Sequence, residues 1–322
     1  MTDPLFYTPD EVAKILKISK GTVYELVKRG EIPSYRVGKK MRISPSDLEA
    51  YINPSQRSQR VHISSTPESN PSTFSSPSFS IEKYVLENKG VILCGQDIVL
   101  DILSRYLERK NPMFRSLRSY VGSLDGLFAL YRETVNAVAV HLWDGETGEY
   151  NIPYVRRFLP GQRAVIVNLF YRKVGFFVAP GNPKNIIDWE DIVKPGVRFV
   201  NREKGSGTRV LLDEKLRILE IDSRCIEGYT NEEMSHIAVA SAVARELADV
   251  GVGTEKAALQ VPEVEFIPLQ KERYDLVMYK HDLERPHFQT ILDVLHSQEF
   301  LDELKGLGGY DTNDTGKIIF EN

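Results

Sequence analysis

Along the first fifty residues the apolar positions recur at helical spacing in two short runs and then turn β-like. Val12, Ile15, Leu16 and Ile18 share one face over residues 8–18. Thr8 reads as the N-cap of this helix, Pro9 sits at its first position, and Glu11 completes a capping box. Ser19-Lys20-Gly21 reads as a turn, and Thr22 to Lys28 as a second helix whose Val23, Leu26 and Val27 point inward. Two short helices joined by a tight Gly-containing turn describe a helix-turn-helix. Ile32 to Ile43 then gives two β-prone runs around Gly38-Lys39-Lys40, a small basic hairpin or wing. Ser44-Pro45-Ser46-Asp47-Leu48 opens a third helix ending near Ile52.

Apolar positions then almost vanish. Asn53 to Ser80 is dominated by Ser, Pro, Thr and other polar residues, which predicts a flexible linker over about 54–84. From about Ile81 strands and helices alternate, the signature of an α/β domain. Gly90 to Cys94 is a buried-type strand followed by a helix over Ile98 to Arg109. Leu117 to Val121 is the next strand, and Asn136 to Leu142 the third. Later strands are read at Val174 to Pro183, Asp249 to Gly253 and Tyr274 to Tyr279, with closing helices at Pro286 to Ser297 and Glu299 to Leu304. A middle block inserted between two parts of another α/β lobe predicts two lobes with a ligand cleft between them.

The stretch with most chemistry is Val197 to Leu212. A β-type run leads into Gly205-Ser206-Gly207-Thr208, and Leu211, Leu212, Leu216 and Leu219 follow at helical spacing. A strand, a Gly/Ser loop and a helix start bring free N–H groups and a positive helix end together, which suits a tetrahedral oxyanion. Gly205 and Gly207 let the backbone approach, Ser206 and Thr208 add hydroxyl donors, and Arg202 and Arg209 offer charge-assisted contacts. Ligands of open α/β sheets bind beyond the carboxyl ends of strands. Gln96, Ser123, His141 and Asp144 fall at such ends and complete the candidate ligand set.

Composition adds limits. The 322 residues, 42% hydrophobic and 27% charged, suit two or three soluble domains. No apolar run has the length of a membrane span, the N-terminal residues lack signal-peptide architecture, and Cys94 and Cys225 are too few for a disulfide framework. The expected compartment is the cytoplasm. The net charge is −4, yet residues 1–60 hold eleven Lys/Arg against seven Asp/Glu, a local excess of +4. No catalytic or metal site is read. His141 and Asp144 lack a third ligand, and the Gly/Ser loop lacks the Gly-Lys-Ser/Thr ending of a nucleotide loop.

Residues 7–52, YTPDEVAKILKISKGTVYELVKRGEIPSYRVGKKMRISPSDLEAYI, resemble the excisionase-type winged helix-turn-helix, a relative of MerR-type domains. The resemblance implies that Ser19, Lys20, Thr22, Val23 and Tyr24 face base edges of double-stranded DNA. Lys28, Arg29, Arg36, Lys39, Lys40 and Arg42 would contact phosphates. Residues 85–320 resemble a type II periplasmic-binding-protein-like domain of the molybdate-binding branch. The carrying segments are HLWDGETGEYN from His141, APGNPKNI from Ala179, RFVNREKGSGTRVLLD from Arg198, HIAVASAVARELADVGVGTEKAA from His236 and FIPLQKERYDLV from Phe266. The spacing of Arg202, Ser206, Gly207 and Thr208 is also similar to the Arg-xxx-Ser-Gly-Thr anion loop of phosphate-binding proteins.

Together these imply a multidomain chain: a small α+β winged helix-turn-helix at 1–53, the linker, and an α/β two-lobed sensor at 85–322. Lobe 1 would comprise about 85–175 and 270–322, and lobe 2 about 176–269. The implied function is a one-component transcriptional regulator with no covalent cofactor, acting as a homodimer or higher even oligomer. Molybdate or tungstate ranks first as ligand, a molybdopterin-type ligand second, and phosphate or sulfate third. An acceptor in the site would favour a proton-bearing phosphate, and Asp144 inside the cleft would count against a proton-free dianion. Two alternatives stay open: an architectural excisionase-like DNA binder with a ligand-independent assembly domain, and an anion-binding accessory protein for molybdenum cofactor assembly.

Overall fold

The computed structural model describes residues 7–28, 32, 34–37, 40–43, 48, 51, 90–111 and 114–321. They fall into two compact units, one within residues 1–77 and the other within 78–322. The expected linker at 54–84 lies outside the described residues, as does most of the expected third helix, of which only Leu48 and Tyr51 are described. Among the described residues no helix is long and apolar enough to cross a membrane.

In the first unit, helix α1 (Pro9–Leu16) starts at Thr8, whose hydroxyl accepts from the Glu11 N–H while the Glu11 carboxylate accepts from the Thr8 N–H. Helix α2 (Lys20–Lys28) begins two residues earlier than expected, because Ser19 Oγ accepts from the Thr22 N–H and ends the turn at once. Strands β1 (Tyr35–Val37) and β2 (Lys40–Arg42) pair antiparallel with Tyr35 opposite Arg42. Val12, Val23, Leu26, Ile32, Ile43 and Leu48 form the small core.

The second unit is built on a nine-stranded mixed sheet. Its order begins with β4 (Arg115–Ser119), β3 (Gly90–Cys94) and β5 (Ala137–Val140), in parallel. Two antiparallel strands of fifteen residues, β6 (Ala164–Val178) and β10 (Glu265–Tyr279), run side by side through the middle. Beyond them lie β9 (Val250–Thr254), β7 (Phe199–Arg202) and β8 (Glu232–Glu233), and β11 (Ile318–Glu321) pairs with β6. The long strands exceed the expected segments because each carries a charged middle, Arg172-Lys173 in one and Lys271-Glu272-Arg273 in the other. These residues interrupt the apolar runs by which the ends were read.

Cores flank the sheet on both faces along these strands. At one end, α3 (Val99–Lys110), α9 (Pro286–Leu295) and α10 (Gln298–Leu307) bury Leu103, Ile291 and Phe300 against Val165 and Leu276. On the other face α4 (Ser123–Tyr131) and α5 (Ile152–Phe158) bury Leu127 and Val155 against Val138 and Ile166. At the far end, Phe176 and Phe177 point to opposite faces, as successive strand residues must. Phe176 meets Leu211 and Leu212 of α6 (Gly207–Ile218), and Phe177 shares a core with Val239 and Val243 of α7 (His236–Ala244) and Ala257 of α8 (Glu255–Ala258). Each end is therefore a three-layer α/β/α lobe, and β6 and β10 are the crossings between them.

Candidate functional site

Two helix N-termini from different lobes meet where the long strands cross. In lobe 2, β7 ends at Arg202 and the chain turns through Gly205 to Ser206, whose hydroxyl caps α6 by accepting from the Arg209 N–H at 3.2 Å. In lobe 1, Gly122 caps α4, and the buried hydroxyl of Ser123 accepts from the His141 N–H at 3.3 Å. The Leu124 N–H in the first turn of α4 donates to the Gly205 carbonyl at 3.0 Å. This approach leaves no room for a side chain at Gly122: an added Cβ would stand 2.6 Å from that carbonyl oxygen. Thr208, 2% exposed, is the second residue of α6, and its Oγ1 has no partner among the described residues. Burying a hydroxyl without a hydrogen bond costs about 1–3 kcal/mol, a cost that an acceptor placed against it would remove.

His141 lies flat between the Tyr274 ring, centroids 5.0 Å apart, and the backbone of Gly207, where an added Cβ would fall 2.6 Å from ring atoms. Its Nδ1 meets Glu272 Oε2 at 2.9 Å. Arg172 bonds the other carboxylate oxygen of Glu272 at 2.6 Å and Asp97 at 2.7 Å. Burial pushes the Glu272 carboxyl up, but Arg172 and His141 outweigh it and hold the group at about 2. Burial lowers His141, opposed by Glu272 and aided by Arg172 and Arg202, and the balance keeps the imidazole below its ordinary value. Glu272 is therefore ionised beside a neutral imidazole, so Nδ1–H donates to it. Nε2 is left as an acceptor with no protein partner among the described residues.

Gln96, on the exposed edge, reaches across the lobes. Its Oε1 accepts from Arg202 at 2.7 Å, and its Nε2 donates to Glu203 at 3.0 Å. The structure thus brings Gln96, Ser123, His141, Arg202, Gly205, Ser206, Gly207 and Thr208 to one place. Arg209 and Asp144 are turned elsewhere. The Arg209 guanidinium bonds Asp213, Glu232 and the Arg202 carbonyl and stacks over Tyr229 at 4.2 Å. The Asp144 carboxylate closes its own turn, accepting from the Thr147 N–H and hydroxyl at 3.0 and 2.9 Å and from Arg157 at 3.3 Å. Repulsion of an anion by Asp144 therefore loses its basis. Among the described residues no group of His, Cys, Asp and Glu could hold a metal ion.

Sequence reasoning missed Arg172, Glu272, Tyr274 and Asp97. The signal available was a charged residue at an inward position of a strand, where an ion has to be paired. A separate cavity of about 600 Å³ opens beside the same strands at the register shift between Pro268 and Gln270, lined by Tyr171, Lys271 and Tyr310. Its Lys173 and Lys271 are paired with Glu255 and Asp311.

In the small unit Ser19, Lys20, Thr22 and Tyr24 are exposed at the start of α2, with Lys20 paired to Asp10 at 2.7 Å. Val23 is a correction. It is fully buried in the core, because its position on α2 faces α1, and it has no surface for a base edge. The half-buried Arg42 donates to the Met41 carbonyl. Arg29 and Lys39 lie outside the described residues, and for Lys28, Arg36 and Lys40 the backbone alone is described.

Comparison with known proteins places this geometry in a family. Residues 104–296 match the PBP superfamily domain and residues 6–55 a helix-turn-helix domain. The uncharacterised protein YvgK of Bacillus subtilis (strain 168) is 39% identical over 325 residues, covering 100% of both chains. A Clostridium pasteurianum protein from the 5′ region of a 2Fe-2S ferredoxin gene is 54% identical over 112 residues, 35% of this chain and 99% of that one. Among solved structures, a putative phosphate ABC transporter substrate-binding protein with bound phosphate, from Clostridium perfringens, is similar with a TM-score of 0.52. It is 15% identical and covers 69% of this chain and 99% of its own. A hydrogen-peroxide-bound mutant of Corynebacterium glutamicum OxyR gives 0.50 at 11% identity, covering 93% and 89%. These likenesses show the fold. The chain belongs to the PBP superfamily and carries an excisionase-like helix-turn-helix domain at its N-terminal end.

Proposed function

We propose that the chain is a ligand-responsive, DNA-binding transcriptional regulator whose PBP-like domain senses a tetrahedral oxyanion where α4 and α6 begin. The observation that carries this reading is the buried, unpartnered hydroxyl of Thr208 at a helix start that abuts a second helix start from the opposite lobe. Both N-termini bring positive dipole ends to the same point. A ligand gripped by both lobes favours their closed arrangement by its differential affinity, which is what any population shift requires. Molybdate and tungstate, sulfate and phosphate are the ligands to compare, with a molybdopterin-type ligand next. A homodimer or higher even oligomer would present helix-turn-helix heads to paired half-sites.

The test is thermal unfolding of the full chain with each oxyanion, for wild type and Thr208→Val, followed by DNA binding with and without the stabilising anion. An anion at about 100 times its Kd adds roughly 2.7 kcal/mol to the native state. Stabilisation that falls in Thr208→Val, with a change in DNA affinity, supports the reading. The direct bridges from Gln96 to Arg202 and Glu203 favour a second reading, a ligand-independent assembly domain on an architectural DNA binder. DNA affinity indifferent to every oxyanion would select it.

A further inference from the structure

The donors and acceptors of the cleft bear on the protonation state of its ligand, given the reading above that this ligand is a tetrahedral oxyanion. Each guanidinium near the loop already has carboxylate partners. Arg172 holds Asp97 and Glu272, Arg202 holds Glu203, and Arg209 holds Asp213 and Glu232. Around His141 this sets three nearly buried carboxylates, Asp97, Glu203 and Glu272, against two buried guanidinium groups, Arg172 and Arg202. The cluster therefore carries one negative charge in excess before any anion arrives. Any anion that enters is therefore held by hydrogen-bond donors rather than by an unpaired guanidinium. Since hydrogen phosphate brings the same two charges as sulfate, the choice between them falls to the donors and acceptors of the site.

The second observation is geometric. His141 sets an acceptor beside the donors of α6. His141 is clamped between Tyr274 and Gly207 with Nδ1 tied to Glu272, so its Nε2 lone pair lies against the first residue of α6 and has no protein partner among the described residues. A bare anionic oxygen is repelled by that lone pair, whereas an oxygen bearing hydrogen donates to it. We propose that the cleft takes its oxyanion together with one proton, carried on a ligand oxygen that donates to His141 Nε2. The ligand class is thus a tetrahedral anion with an O–H, of which hydrogen phosphate is the simplest.

The groups facing His141 support this from every side. Glu272 and Tyr274 reach it from β10, Arg172 from β6, Arg202 from β7 and His236 from α7. Burial lowers His236 well below its ordinary value, with Arg202, Arg172 and His141 adding to the effect, so both imidazoles are neutral. The single N–H of His141 is committed to Glu272, and His236 Nδ1 has no partner among the described residues. Inorganic phosphate keeps a proton at neutral pH and brings its own. Sulfate, molybdate and tungstate carry none and have to draw one from solvent, which would lodge on His141 Nε2. This shifts phosphate above the position that sequence resemblance assigned to it.

The experiment is titration calorimetry on the full chain with inorganic phosphate, sulfate, molybdate and tungstate, from about pH 6 to pH 8.5, in buffers of different ionisation enthalpy. Phosphate affinity should stay within about threefold from about pH 7 upward, where hydrogen phosphate predominates, and weaken below it as the second proton is added. Any proton-free anion that binds should weaken by about tenfold per pH unit and take up about one proton. His141→Gln should abolish that slope, and the wild-type proton count stands as the test if the variant fails to fold. Sulfate or molybdate binding as tightly as phosphate at the alkaline end, with no proton uptake, overturns the proposal while leaving the sensor reading intact. Failure of every oxyanion to bind at any pH overturns both.

Discussion

Replacing Gly122 with alanine should separate lobe docking from lobe folding. The position has φ −67° and ψ 167°, which alanine adopts without strain. The nearest atoms to the new methyl all belong to the opposite lobe: Gly205 O at 2.6 Å, Gly205 C at 2.8 Å and Ser206 N at 2.9 Å. Ordinary contact begins at 3.4 Å, so the anion loop and the start of α4 must part by roughly 0.8 Å, the difference between 3.4 and 2.6. That movement lengthens the Leu124 N–H to Gly205 O bond beyond useful range, since it is already 3.0 Å. Overpacking of this kind costs about 1–3 kcal/mol, and here the cost falls on the closed arrangement. Affinity for the stabilising oxyanion should therefore drop about 5- to 150-fold. Calorimetry measures the affinity, and small-angle scattering reports the wider cleft. Gly306→Ala is the control: it lies within α10, nothing lies within 4 Å of its added methyl, and binding should be unchanged. Wild-type affinity and wild-type compactness in Gly122→Ala would refute the view that these helix starts close on the ligand.

Three further outcomes are expected. Glu272 is held at about 2, below the unfolded value of about 4.3. Its contribution is complete above that unfolded value and lost as pH falls towards 2. The stability gap between wild type and Glu272→Gln in chemical denaturation should shrink through this acid window, and a gap independent of pH counts against the ion pair. Val23→Ala should remove about 0.5–3 kcal/mol from the small unit through core loss, whereas Thr22→Ala should leave its melting unchanged and weaken DNA binding. Equal melting of the two variants would put Val23 back on the surface. Arg42→Ala should weaken DNA binding evenly across sequences and make the salt slope shallower by about one charge; a loss confined to one base position would make Arg42 a base reader.

The parts of the fold legible in the sequence were those whose local chemistry and burial agree. Thr8, Pro9 and Glu11 mark the start of α1 by side-chain bonds that need no tertiary partner. The loop from Glu203 to Ser206 joins β7 and α6 because glycine and a capping serine fix a strand-to-helix turn locally. The second half of the site was hidden for the opposite reason. Arg172 and Glu272 are a hundred residues apart and become partners only when β6 and β10 pair in register, Arg172 opposite Glu272. Val23 shows the same limit on one helix. Spacing alone let it serve both as a core residue and as a base reader, and only its contact with the α1 side of the core decides.

That register also explains why the cluster belongs in the crossing strands. A buried ion pair gives little net stability, and removing one partner strands a charge. A pair on the crossings is useful where its position feels both lobes: Arg172 ties Asp97, at the end of β3 in lobe 1, to Glu272, which holds His141 against the first residue of α6 in lobe 2. Parting the lobes draws Gly207 away from one face of the imidazole while Tyr274, on the strand itself, stays on the other. The histidine then gains solvent, and the burial that keeps it neutral weakens. Closure therefore favours the neutral imidazole, the form whose Nε2 can accept from a ligand oxygen that bears hydrogen, so the same movement that shuts the cleft prepares the acceptor.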